Sequence, residues 1–170
     1  MKMAATRQNG FILVELVVTL ILVGFISAFV GLFLHTGING FLASKRNSEA
    51  ALKAQFALDR LSVELRRLQS LPTAPVANTS IRYHSRDFVG TRRISYNTGT
   101  RTISLSPDDG ATWYPLLDQV TSFNLSLTYA DMDQLDSDEE IQAILIGFAI
   151  ADVPRTFSMQ IYPRTLINKP

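Results

Sequence analysis

Glu15 is the residue whose setting most demands a chemical explanation. It is the sole charged residue between Phe11 and Leu34, in the stretch FILVELVVTLILVGFISAFVGLFL. At about 1.5 Å per helical residue that stretch reaches roughly 36 Å, enough to cross a hydrocarbon layer about 30 Å thick. A carboxylate at that depth costs about 2.5–3.5 kcal/mol on the lenient insertion scale, so an acid there needs a named partner. The run itself contains no cation. Cutting the chain between Gly10 and Phe11 would supply one, because the new amine on Phe11 is a cation at membrane depth, either in the same chain or in a neighbouring copy.

The other side chains capable of chemistry are less organised. Asp131, Asp133, Asp136, Asp138, Glu139 and Glu140 fall within ten residues, and calcium takes six to eight oxygens. The order has no glycine at the sixth position of a calcium loop, and Gln134-Leu135 interrupts the alternation of ligands. A solvated acidic connection is therefore expected, and no metal site. His35 and His84 stand apart from each other and from any run of ligands. With no cysteine, thiol catalysis, thiolate metal sites and disulfides are excluded together. The chain has no G-x-S-x-G, no phosphate-binding glycine loop and no H-E-x-x-H, so no catalytic residue and no cofactor are expected and the chain reads as a non-enzyme. Asn78-Thr79-Ser80 and Asn124-Leu125-Ser126 match the glycosylation triplet, a pattern too common to carry function.

Gly10, then Phe11-Ile12-Leu13-Val14-Glu15 and an apolar helix containing Gly24, all behind a short leader with Lys2 and Arg7, resemble the processing signal of type IV prepilins and pseudopilins. The resemblance implies cleavage after Gly10 by a prepilin peptidase on the cytoplasmic side and methylation of the new N-terminus on Phe11. It assigns Glu15 to assembly. The implied partners are other pilins or pseudopilins, the inner-membrane assembly machinery and the lipid bilayer. The implied location is a bacterial inner membrane, crossed once, with the N-terminus cytoplasmic and the C-terminal part outside. A looser likeness to the J-type minor pseudopilins of type II secretion and the W-type minor pilins rests on three stretches. These are Leu58-Asp59-Arg60-Leu61-Ser62-Val63-Glu64-Leu65-Arg66, Pro107-Asp108-Asp109-Gly110 and Leu116-Leu117-Asp118-Gln119-Val120-Thr121-Ser122-Phe123.

Competing uses of the apolar run explain less. A secretory signal has an apolar region of about 7–15 residues ending at a small-residue site; this run is longer, and Ile26-Ser27-Ala28 is a poor site. A plain signal anchor accounts for the length and, by the positive-inside tendency, for Lys2 and Arg7. It leaves Glu15 unexplained. A buried helix of a soluble protein does not need so long an unbroken run. Two functions from different classes follow: a minor pilin or pseudopilin built into a filament, or a membrane-tethered ectodomain acting alone as a binding module or enzyme.

The elements that would carry these groups can be read in order. Residues 1–10 form the leader, 11–34 the transmembrane helix, 35–71 a hinge followed by an amphipathic helix, and 72–170 a β-rich ectodomain. Gly37 and Gly40 each weaken a helix by about 1 kcal/mol relative to alanine, so a hinge or fraying is expected there. From about Phe41 to Leu71, Ala54, Leu58, Leu61, Leu65 and Leu68 line one face, while Lys53, Arg60, Glu64 and Arg67 mostly point elsewhere. Pro72 and Pro75 should close that helix.

Beyond it, Ser80 to Tyr83 is a weak strand. Arg92 to Tyr96 and Arg101 to Leu105 form a hairpin with Ile94, Tyr96, Ile103 and Leu105 inward, and Pro107-Asp108-Asp109-Gly110 is a turn. Ser122 to Tyr129 alternates, with Phe123, Leu125, Leu127 and Tyr129 on one side. Gln142 to Ile150, apolar on both faces, reads as a central strand paired with Thr156 to Tyr162. The class is α+β, with a long N-terminal helix packed on an antiparallel sheet domain, as in pilins. The formal charge is +1, and without Lys2 and Arg7 the basic side chains fall from 16 to 14 against 15 acidic ones, so no nucleic-acid surface is indicated.

Overall fold

The computed structural model describes residues 13–133 and 138–170. The chain divides into two compact units, Met1–Arg46 and Asn47–Pro170. Gly10 and Phe11 lie outside the described residues, as does Asp136.

In the first unit the described chain is helical throughout, as part of α1, which spans Leu13–Arg66. Three of its hydroxyl groups turn back onto the backbone: Thr19 Oγ1 donates to the Leu16 carbonyl at 2.9 Å, Ser27 Oγ to Val23 at 2.8 Å and Thr36 Oγ1 to Leu32 at 3.0 Å. These bonds satisfy the polar side chains within the helix itself, which an apolar surrounding demands. The large apolar side chains from Leu13 to Leu42 are between 42% and 79% exposed. Among the described residues nothing covers them. The expected break at Gly37 and Gly40 is absent, for α1 runs unbroken through both. The cost of a glycine is a preference and not a missing hydrogen bond, and an i,i+4 contact of 3.0 Å between Asn39 and His35 spans Gly37.

In the second unit the last turns of α1 meet two antiparallel sheets instead of the single one expected. The first sheet contains β1 (Leu68–Ser70), β2 (Ser80–Ser85), β3 (Phe88–Asn97), β4 (Thr102–Ser106) and β5 (Tyr114–Leu117), in that spatial order. The second contains β6 (Val120–Ala130), β7 (Glu140–Ile150) and β8 (Thr156–Ile161), with β7 central as its apolar faces require. Ala54, Ala57, Leu61 and Leu65 of α1 enter one core with Ile81, Ile94 and Ile103 of the first sheet and Leu125, Ile144 and Ile146 of the second. The inward set Ile94, Tyr96, Ile103 and Leu105 is buried as expected, and so are Phe123 and Leu125.

The helix ends at Arg66, five residues before the expected Leu71. Leu68 keeps its burial, but from a strand: it pairs with Ser85 in register, and the Arg86 amide donates to the Arg67 carbonyl at 2.8 Å. Pairing to β2 therefore ends the helix before Pro72 does. β2 is also a full strand of six residues, fixed on both edges by β1 and β3. β5, which contains Pro115, was not legible as a strand; as the last strand of its sheet it occupies an edge, where proline is tolerated.

Small polar contacts join the sheets. Asn78, held at φ 56°, presents both its amide and its Oδ1 to Leu125: its N–H donates to the Leu125 carbonyl at 3.3 Å and its Oδ1 accepts from the Leu125 amide at 3.2 Å. This clip closes part of the free edge of β6. The Tyr96 hydroxyl donates to the Val120 carbonyl at 3.0 Å, and the Val120 amide to Arg101 at 2.9 Å. These bonds set where the second sheet begins.

Candidate functional site

Glu15 stands in the first turn of α1, exposed. An acid there is favoured by the positive end of the helix dipole, an effect of about 0.3–1 kcal/mol at an exposed site. That term offsets only part of the cost of carrying a carboxylate into lipid. Among the described residues no cation and no hydrogen-bond donor meets its side chain. The site therefore consists of one acid on a bare apolar helix, with Gly10 and Phe11 just ahead of it in sequence. Chemically it can do one thing well, which is to accept a cation brought from elsewhere.

The second unit holds its own buried acid, and here the expected placement is corrected. Glu64 does not sit on the wet side of α1; its side chain is 3% exposed. Arg92 donates to it through Nε and Nη2, each at 3.1 Å, the Tyr83 hydroxyl donates at 3.0 Å, and Arg60 pairs with it at 2.6 Å. Burial pushes the Tyr83 hydroxyl pKa well above its ordinary range, and the adjacent Glu64 carboxylate adds to the rise. A signal for this cluster exists in the strand parity: Arg92 shares the alternation of Ile94 and Tyr96, all three buried. Both Glu64 oxygens are met by two donors each and the carboxylate is buried, which fits a structural role.

The Pro107-Asp108-Asp109-Gly110 reversal is built as expected, and tightly. Asp108 Oδ1 accepts from the Thr112 amide at 2.8 Å and from Ser106 Oγ at 2.7 Å, while Ser106 Oγ accepts from the Gly110 amide at 2.7 Å. Gly110 takes φ 103°, a conformation open to glycine. Hydrogen bonds from Thr112 and then Ser106 hold the Asp108 pKa down at about 2, and Asp109 is lowered by the two-point contact of Arg82.

The folded state thus holds these carboxylates below their ordinary value. Their contribution to stability is complete above the unfolded carboxyl pKa, near 3.8, and is lost as pH falls toward about 2. Asp108→Ala is expected to lower the melting temperature at neutral pH and to flatten its fall between about pH 4 and pH 2. Melting curves across that range test this, and an unchanged acid limb would refute it.

The acidic run is only partly solvated. Glu140 is 1% exposed and accepts from the Met132 amide at 2.7 Å. Glu139 pairs with Lys169 at 2.6 Å, and Asp138 accepts from Asn168. The Ile141 amide donates to Ile167 at 2.8 Å, so these acids anchor the C-terminal tail along the start of β7. Among the described residues no three histidine or acidic side chains converge as metal ligands do. His84 bridges Ser70 at 3.0 Å and Thr91 at 3.1 Å, a contact within the sheet.

Fold and site together define an α+β chain with one N-terminal helix long and apolar enough, by length and composition, to cross a membrane once. No protein-family model, no curated protein and no solved structure matches it.

Proposed function

We propose that this chain is a structural subunit, a minor pilin or pseudopilin of a type IV pilus or secretion filament, cut after Gly10, methylated on Phe11 and assembled through its N-terminal helix. The observation that carries the reading is the pairing of Glu15 with an apolar helical surface that no described residue covers. Lipid can cover the apolar side chains, but it cannot satisfy the carboxylate. A second copy whose N-terminus is the amine of Phe11 can do both, because its helix buries the side chains and its charge meets the acid. The hydroxyls folded onto the helix backbone fit the same surroundings. The subunit does no chemistry itself; prepilin peptidase, the inner-membrane assembly machinery, other pilins and the bilayer are its partners. The ectodomain stands outside the membrane.

Coexpression with a prepilin peptidase tests processing. Intact mass should give a mature chain beginning at a methylated Phe11, and Gly10→Val should block the cut entirely. A mature chain that keeps Met1, or one that starts near Phe29, would overturn the reading. Glu15→Ala separates assembly from simple tethering. Insertion should survive, since the substitution removes a cost of about 2.5–3.5 kcal/mol, while incorporation into filaments should fall sharply. Incorporation at the parental level would favour a tethered domain acting alone.

A further inference from the structure

At the C-terminal end of α1 a cleft of about 310 Å³ is lined by Arg66, Arg67, Arg86 and Arg164, with Asp87 and Thr165 among them. Its arginines come from three places: the end of α1, the β2–β3 connection and the tail after β8. Four arginines and one acidic residue line it, and that acid is committed, because Asp87 pairs with Arg67. Among the described residues Arg66, Arg86 and Arg164 have no acidic partner, and all three are exposed.

Arg66 and Arg67 have a local explanation, since cations favour the negative end of a helix. Arg86 and Arg164 have none, and drawing like charges together costs energy unless something neutralises them. A second observation lies alongside. An adjoining cleft shares Gln69, Arg86 and Asp87 and is also lined by Ser85, whose hydroxyl is buried, with the residue 3% exposed, and has no hydrogen-bond partner. Leaving such a group unpaired costs about 1–3 kcal/mol, and Ser85 lines the adjoining cleft alone, not the one between the four arginines.

We propose that this cleft is a binding site for a phosphate-type oxyanion, held by Arg86 and Arg164 with Arg66 and Arg67 completing the cationic wall. The planar guanidinium fork matches phosphate oxygens two at a time. The volume is at the lower end of small-ligand clefts, about 300–1,000 Å³, which suits a phosphate or pyrophosphate group and not a large organic ligand. The site goes beyond filament assembly and does not depend on it, for it lies wholly within Asn47–Pro170.

The test uses the whole chain in an uncharged detergent. Inorganic pyrophosphate is titrated at constant ionic strength, with sodium chloride as the balancing salt, while melting temperature and phosphorus NMR line width are followed. A saturable rise in melting temperature with line broadening is expected. The double substitution Arg86→Gln, Arg164→Gln should weaken the apparent affinity at least about tenfold, the worth of one charge-assisted hydrogen bond. Both side chains are exposed, so the unliganded melting temperature should stay near that of the parent and shows that the variant is folded. Arg155→Gln, at an exposed arginine outside the cleft, should bind as the parent does.

A response that never saturates, or one equally weakened in Arg155→Gln, is charge screening and overturns the proposal. So does an undiminished response in the double variant. The source of the phosphate is distinguished in nanodiscs. If lipid headgroups fill the cleft, adding phosphatidylglycerol to phosphatidylcholine abolishes the pyrophosphate response in the parent. If a soluble compound fills it, the response is the same in both lipids.

Discussion

Replacing Glu64 with alanine is expected to destabilise the Asn47–Pro170 domain by about 3–5 kcal/mol, a large part of the 5–15 kcal/mol that holds a typical domain folded. The reason is what remains behind. Arg92, whose side chain is 7% exposed, would keep its charge in the core without its two 3.1 Å contacts, and the Tyr83 hydroxyl would lose its acceptor. Arg60, about half exposed, can return to water, so its pair with Glu64 contributes little to the loss. Denaturant unfolding of the single variants and of a double variant, Glu64→Met with Arg92→Met, measures this. The double variant should be much less destabilised than the two singles added together, because it removes both charges at once. Additive losses would mean that the pair is not coupled across the core.

Leu61→Asp should leave the same domain unfolded. A fragment beginning after Gly40 is expected to be a soluble monomer, since Ala54, Ala57, Leu61 and Leu65 are buried against sheet residues of their own chain. Leu61 is 0% exposed and belongs to the apolar core. An unpaired charge there costs more than the fold has in reserve. Leu61→Ala, which leaves a cavity without a charge, should cost about 2–5 kcal/mol and keep the domain folded at low denaturant. Light scattering and far-ultraviolet circular dichroism settle both points. Self-association of the parent fragment would mean that the apolar face of α1 pairs between copies instead of closing the core.

The features legible in the sequence are those that depend on neighbours along the chain. The apolar run and its acid, the hairpin around Asn97 to Arg101, the reversal at Asp108-Asp109-Gly110 and the alternation from Phe123 to Tyr129 are all local. Periodicity, turn chemistry and length are read within one element, and the structure places a helix, two strands, a turn and a strand there. Tertiary structure decided what distant residues settle between them.

Glu64 reads as a surface residue of a helix until Arg92 and Tyr83, 28 and 19 positions further on, arrive to hold it inside. Leu68 belongs to a helical stripe by spacing, yet hydrogen bonding to β2 takes it into a strand, because a ladder partner outweighs a weak local preference. Asn78 looks like a chance triplet and proves to be the clip on Leu125. Arg66, Arg86 and Arg164 are unremarkable where they stand in the chain. Their meeting in one cleft is a property of the fold, since the end of α1, the β2–β3 connection and the tail after β8 are distant in sequence and only folding brings them together.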